Sequence, residues 1–399
     1  MSAEQAIGRT RRLTAVMREE DTVTPLELFL DLVFVLALTQ CTALMAKEPT
    51  WDGLAKGMLV LGVLWWSWVA YSWLTSVVDP EEDAVWLVVF VAMAALLVAG
   101  LCVPDAFGDD ALVFALAYAM VRIAHLGLFL LASRDDPLFR TSVVGFACGT
   151  VLGSALLVAA AFTDGALQGG LWVAALLLDM GEPYFFGADG WHLAPHHFAE
   201  RHGLIVIIAL GESIVAIGVG AEAHVDAGVV LAASIGMAVA AAQWWLYFDI
   251  VFHVAGRRLA AATVGREQNE MARDSYSYLH FPMVAGIVLV ALGMKKTLGD
   301  VEEPLKLVPA AALLGGAAIY LLAHVAFRYR HIHTVNTRRL GLAILLLALI
   351  PVAVEIPALA TVAILAAALV VLIVEETRSY GETRARVRHG DSLGGADAR

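Results

Sequence analysis

Two acidic residues inside long apolar runs are the side chains of this sequence most suited to chemistry. Asp31 lies in the apolar segment 26–46, and Glu212 lies in the apolar segment 204–220. An ionised carboxylate in apolar surroundings is costly, so it must be protonated, paired with a cation or hydrated. We therefore predict that Asp31 and Glu212 bind a proton or a cation.

A single guanidinium lies equally deep. Arg122 occupies the centre of another apolar segment, with His125 one helical turn further on. It must face protein, and its simplest partners are the carboxylates of Asp31, Asp179 or Glu212. Three carboxylates against one guanidinium would leave a negative interior, so the interior must hold protons or a bound cation. This balance favours handling of protons or cations over anion transport.

Two further carboxylates, Glu182 and Glu27, lie near predicted helix ends, the first of them beside Asp179. Asp179 and Glu182 are three residues apart, and they form either a proton-sharing pair or a polar group at the membrane interface. Glu27 closes a capping box that begins at Thr24, and it precedes Asp31 by one turn on the same helix face. Glu27 is therefore either a helix cap or a second member of the Asp31 site.

A histidine-rich stretch joins the two halves of the chain. His192, His196 and Glu200 are spaced four residues apart, which is compatible with metal binding on one face of a helix. The HxxxHH spacing resembles one histidine box of membrane di-iron desaturases, but the further boxes that those enzymes need are missing. We therefore predict a solvated or proton-exchanging loop, with no metal and no cofactor.

The elements that position these residues are predicted to be membrane-spanning helices. The chain has 399 residues, of which 60% are apolar and 16% charged, whereas soluble domains carry about 25% charged residues. A span needs about 20 apolar residues. The sequence predicts an all-α polytopic membrane helix bundle of about twelve spans, the last two of them short: 26–46, 54–78, 84–103, 111–132, 142–162, 167–186, 204–220, 227–252, 277–294, 306–327, 340–356 and 358–374.

The distribution of positive charge predicts the orientation. Most of the 26 Lys and Arg residues fall in the tails and the even-numbered loops. By the positive-inside rule, both termini are predicted to be cytoplasmic. The predicted divisions are a cytoplasmic N-terminal tail 1–24, a first six-helix half 25–186, a cytoplasmic His-rich linker 187–203, a second six-helix half 204–375 and a cytoplasmic C-terminal tail 376–399.

The two halves share a weak internal similarity. Segment 29–40 aligns without gaps to segment 201–212, and Trp65-Trp66 is echoed by Trp244-Trp245. These matches leave open a parallel 6+6 tandem repeat. Transporters built from such repeats hold their site between the halves near the midplane of the membrane.

Two long motifs carry a family resemblance that covers about residues 20–375. ELFLDLVFVLAL from Glu27 and HFAERHGLIVIIALGES from His197 strongly resemble the signatures of the bacterial low temperature requirement protein A family. The resemblance implies a multi-pass bacterial inner-membrane protein linked to growth in the cold, without supplying a biochemical activity. The family's signature positions fall here on Glu27, Asp31, Glu200, Arg201 and Glu212.

A shorter motif favours an alternative. Phe29-x-Asp31-x-Val33-Phe34 resembles the first helix of non-classical potassium channels of the lysosomal and bacterial type, which are built from six-helix repeats. On that hypothesis the protein is a passive cation channel gated by apolar residues such as Leu38 and Leu210.

The sequence thus predicts a proton- or cation-coupled transporter or permease whose substrate is unknown. The alternatives are the passive channel, a membrane protein without transport activity and a lipid-modifying metalloenzyme. The expected partners are the lipid bilayer and a small solute, proton or cation, with homo-oligomers left open. No clustered basic face indicates nucleic-acid binding, and motifs of nucleotide-driven pumps and soluble hydrolases are missing, so we expect no enzyme.

Overall fold

The computed structural model describes residues 22–78, 83–185, 190–191, 193–221 and 226–379. Throughout these ranges the regular structure is helical and no strand is present, which confirms the all-α prediction. The predicted tails lie mostly outside the described residues, in 1–21 and 380–399, as does His192 of the histidine-rich stretch.

Six helices form the first half, and their starts follow local capping rules. Pro25 opens α1 directly after Thr24, and the side chain of Asp136 caps α5 by accepting hydrogen bonds from two backbone amides. The bounds are α1 Pro25–Lys47, α2 Trp51–Val77, α3 Asp83–Cys102, α4 Ala111–Ala132, α5 Pro137–Ala160 and α6 Gly165–Phe185.

The second half contains more helical segments because several of its long helices are interrupted. Two of them contain π-helical turns, at Ala272–Tyr278 and Ala311–Gly315, and such turns are frequent at functional sites. The bounds are α7 Pro195–Gly220, α8 Ala227–Phe248, α9 Val251–Ala261, α10 Arg266–Met271, α11 His280–Gly299, α12 Leu307–Ala310, α13 Gly316–Ile332, α14 Thr337–Ala353 and α15 Ala358–Ser379.

Within the described ranges, ten helical stretches are long and apolar enough to cross a membrane. They are the stretches expected of a multi-pass membrane protein. The predicted number of spans was twelve, and the two predicted spans without a counterpart among the ten coincide with α6 and α14. Helix α14 has only 17 residues, fewer than the roughly 20 that a span requires.

The main helix contacts follow the same order in both halves, although α2 also contacts α4 and α8 also contacts α11. In the first half, α1 packs on α2 and α3, and the chain of contacts continues from α3 to α4, α5 and α6, with α6 returning to α2. In the second half, α7 packs on α8 and α11, and contacts continue from α11 to α13, α14 and α15, with α15 returning to α8. The halves meet where α1 contacts α7 and α11 and where α2 contacts α7.

Candidate functional site

Charged and polar side chains join α1 to α7 along what we call the α1–α7 seam. The seam consists of Glu27, Asp31 and Thr39 on α1 and His197, Arg201 and Glu212 on α7. Its contacts pair Glu27 with His197, Asp31 with Arg201, and Thr39 with Glu212. Because residue numbers rise together on both helices, the two helices run parallel.

Asp31 and Arg201 form the central pair of the seam. Arg201 Nη1 donates to Asp31 Oδ2 at 3.1 Å, and Arg201 Nη2 lies 3.0 Å from Asp31 Oδ1. Trp68 Nε1 donates a third contact to Oδ1 at 2.9 Å, and the guanidinium lies over the indole ring at 5.6 Å. Asp31 is 1% exposed, so this ion pair is shielded from solvent, and the contacts from Arg201 and Trp68 hold the carboxylate in place.

Glu27 combines the two roles that the sequence left open. Its Oε2 accepts hydrogen bonds from the backbone amide of Thr24 at 2.8 Å and from the hydroxyl at 3.0 Å, as in a helix cap. Its Oε1 lies 2.7 Å from His197 Nε2 on α7. Both residues are buried, so the N-terminal turn of α1 is tied to the N-terminal part of α7.

Glu212 differs from the other carboxylates of the seam. It is 1% exposed, and its Oε2 accepts a hydrogen bond of 2.5 Å from the hydroxyl of Thr39. No cationic side chain among the described residues forms an ion pair with it. Its hydrogen-bond partner is a neutral hydroxyl, and Lys295 of α11 acts on it electrostatically without forming an ion pair.

Arg122 belongs to a separate group, the Arg122 cluster, which also contains Tyr118, Thr150, Asp179 and Glu182. Of the three carboxylates predicted as partners of Arg122, the one in contact is Asp179, whose Oδ1 lies 3.2 Å from Arg122 Nη2. The same nitrogen donates to Thr150 at 3.0 Å and lies 3.9 Å from Glu182 Oε2. Tyr118 donates to the other oxygen of Asp179 at 2.6 Å. One guanidinium thus faces two buried carboxylates.

The remaining predicted site residues lie apart from these contacts. His125 packs edge-on against the rings of Phe129 and Phe146, one turn from Arg122. His196 and Glu200 are exposed on α7, whereas His197 and Arg201 are buried on the other side of the helix. The predicted linker is helical from Pro195 onward, and adjacent residues of a helix point about 100° apart, so neighbouring residues of the histidine-rich stretch face different surroundings.

Several functional contacts were not identified from the sequence. Trp68 was not among the predicted site residues, although a tryptophan near the middle of a span signals a buried N–H that needs an acceptor. The contacts around His280 were also missed. His280 Nε2 lies 2.7 Å from the hydroxyl of Tyr247, and the centroids of the His280 and His202 rings are 5.1 Å apart. The described ranges contain no group of three His, Cys, Asp or Glu side chains arranged to hold a metal ion.

Comparison with known proteins places the chain among bacterial membrane proteins. The model of the family described as bacterial low temperature requirement A protein matches residues 22–374. An uncharacterized protein of Rhizobium meliloti (strain 1021) is 29% identical over 309 residues, which cover 74% of each chain. No solved structure matches the chain.

Proposed function

We propose that this chain, which belongs to the bacterial low temperature requirement A protein family, is a transporter that couples movement of a small solute to a proton or cation. The observation that carries the proposal is Glu212, a buried carboxylate that contacts the hydroxyl of Thr39 and forms no ion pair with any described residue. A carboxylate in this position can become electrically neutral by taking up a proton or binding a cation.

The seam offers a second exchange point at Asp31. In the described arrangement the guanidinium of Arg201 occupies the place where a transported cation would bind. A cation or proton arriving at Asp31 would release Arg201, and α7 would then be free to shift along α1. Because one carboxylate cannot hold both partners at once, this competition would couple ion binding to helix movement.

The proposed architecture is a parallel 6+6 repeat of twelve spans in the inner membrane, with both termini cytoplasmic. It is supported by the main helix contacts of the two halves, which follow the same order when α1 to α6 are matched to α7, α8, α11, α13, α14 and α15. The same correspondence makes α1 and α7 equivalent helices, and these are the two that carry the seam. Sites between the halves are typical of repeat transporters.

A passive cation channel is the second candidate, and one observation favours it. Helices α1 and α7 lie parallel and in contact, as expected of equivalent pore-lining helices, and the proposed gate residues Leu38 and Leu210 are both buried. Flux that saturates with solute concentration would favour the transporter, whereas flux that rises without saturation and needs only the ion would favour the channel.

The test is ion flux in liposomes with the Glu212→Gln variant. Purified protein would be reconstituted with a pH-sensitive dye inside, and a membrane potential would be imposed. Glutamine preserves the shape of the side chain and can still accept the hydrogen bond from Thr39, but it cannot take up a proton. We expect flux through Glu212→Gln to fall to the level of protein-free liposomes while its unfolding temperature stays close to that of wild type.

The matched control is Glu302→Gln, which makes the same chemical change at an exposed position. It should transport as well as the wild-type protein does. Unimpaired flux through a folded Glu212→Gln protein would refute the assigned role of Glu212. No flux through folded wild-type protein, with or without candidate solutes, would favour the alternative of a membrane protein without transport activity.

A further inference from the structure

A cavity lies where helices of the first half meet the π-helical turn that precedes α11. About 650 Å³ of space free of protein atoms lies within and in front of it, part of which is open solvent. Helices α2, α4, α5 and α6 supply most of the wall, and the second half contributes Asn269, Arg273 and Ser277. Five aromatic side chains line it: Trp66, Trp73, Phe129, Phe146 and Trp191.

One carboxylate lines this aromatic cavity. Glu182 is 2% exposed, and its Oε2 is 3.4 Å from the donating hydroxyl of Thr150. Its Oε1 is buried and accepts no hydrogen bond from any described residue. A buried acceptor without a partner costs free energy. Oε1 packs against Gly149 of α5, so a ligand donor would reach it, and be stabilising, once the Glu182 side chain turns toward the cavity.

The charges around Glu182 do not cancel. Arg122 is the nearest cation, and its Nη2 lies closer to Asp179, at 3.2 Å, than to Glu182, at 3.9 Å. The other guanidinium of the cavity, Arg273, is held by Asp274 at 2.8 Å and lies over the ring of Tyr184. Asp274 is shared with Arg330 at 3.1 Å, so the excess negative charge lies on the Arg122 side of the wall, where one guanidinium faces both Asp179 and Glu182.

We propose that this cavity binds an organic monocation with an apolar or aromatic body. The aromatic rings attract a cation through their π faces and also cover an apolar body. Glu182 supplies the counter-charge, and its free oxygen accepts a hydrogen bond wherever the cation carries an N–H group. That this ligand is the transported solute rests on the proposed function. Its binding, however, can be measured without transport.

Binding would be measured with two probes of similar shape and opposite charge. Benzyltrimethylammonium is the cationic probe and phenylmethanesulfonate is the anionic one, and both are titrated calorimetrically into the purified full-length protein. Three tryptophans line the cavity, so quenching of tryptophan fluorescence gives an independent readout. We expect saturable binding of the ammonium and no binding of the sulfonate.

Two variants locate the binding within the cavity. Glu182→Gln removes the charge, and we expect it to weaken binding of the ammonium roughly tenfold or more, given the worth of a desolvated charge contact. Ala70→Phe fills the cavity from α2 without altering charge and should abolish binding. The control Glu375→Gln changes an exposed carboxylate on α15 and should bind as the wild type does.

Three outcomes would overturn the inference: equal binding of both probes, which would indicate an apolar pocket open to lipid; no saturable binding of the ammonium; or unchanged affinity in Ala70→Phe. If Glu182→Gln fails to fold, the comparison of the two probe charges and the Ala70→Phe result still decide whether the cavity binds the cation.

Glu212→Gln separates the two proposals, because it should lose flux and keep ammonium binding. Flux without ammonium binding would refute this inference alone, and binding without flux would refute the proposed function alone.

Discussion

At the scale of the residue, the contact between Asp31 and Arg201 is the most consequential pair in the seam. Two oppositely charged side chains are fully enclosed, and Trp68 closes the remaining side of the carboxylate. Desolvation makes such a pair a modest contributor to net stability. Removing one partner, however, leaves an uncompensated charge in the interior.

We therefore predict that Arg201→Ala destabilises the protein by about 3–5 kcal/mol. The double variant Arg201→Ala with Asp31→Asn should be less destabilised than Arg201→Ala alone, because the orphaned charge is gone. The measurement is chemical unfolding in detergent, followed by circular dichroism.

Arg338→Ala serves as the comparison, since that arginine is exposed at the start of α14 and should change stability little. A double variant that is as unstable as Arg201→Ala would contradict the prediction. That result would mean that packing of the arginine stem, and not its charge, is what stabilises the seam.

At the scale of the element, α11 and α13 approach each other through glycine. A Cβ added at Gly286 would lie 2.6 Å from the carbonyl oxygen of Gly316 and 2.9 Å from the amide nitrogen of Tyr320. Both obstacles are backbone atoms, which cannot rotate away. Small residues at such crossings let membrane helices pack closely, and here they bring Tyr320 to the carbonyl of Gln243 on α8.

Gly286→Leu is expected to force α11 and α13 apart and to lower the free energy of unfolding by at least about 1–3 kcal/mol, the usual cost of overpacking. The thermal unfolding midpoint of the purified protein measures the effect. Gly341→Leu is the matched control, because a Cβ there meets no atom within 4 Å. Equal midpoints for the two variants would show that the helices can separate at little cost.

At the scale of the whole molecule, the repeated packing order has a consequence for topology. If α6 and α14 both span the membrane, the termini and the stretch between α6 and α7 lie on the same side. If α6 does not span, the stretch between α6 and α7 lies on the opposite side from the N-terminus. The location of residue 188 therefore tests the twelve-span architecture.

Fusions of a fluorescent protein and of a periplasmic phosphatase at the N-terminus, at the C-terminus and after residue 188 would give the orientation. We expect fluorescence and no phosphatase activity at all three points. Phosphatase activity only in the fusion after residue 188 would show that α6 does not span the membrane. Phosphatase activity at either terminus would overturn the assignment of that terminus to the cytoplasm.

The sequence by itself determined the all-helical class and most helix positions, because long apolar runs can satisfy their backbone in a membrane only as helices or closed barrels. It also identified Asp31, Arg122, Asp179 and Glu212 as buried, because charges inside apolar runs are rare and costly. The helical start of α7 at Pro195 was not predicted, since the polar stretch that precedes its apolar run resembles a loop.

Only the tertiary structure decided which charges meet. Asp31 pairs with a residue 170 positions away, and Arg122 pairs with only one of three equally placed carboxylates. Apolar periodicity places a side chain on a helix face, but it does not specify which other helix packs against that face. The seam and the aromatic cavity around Glu182 depend on that choice, because each is built from helices that are distant in the chain.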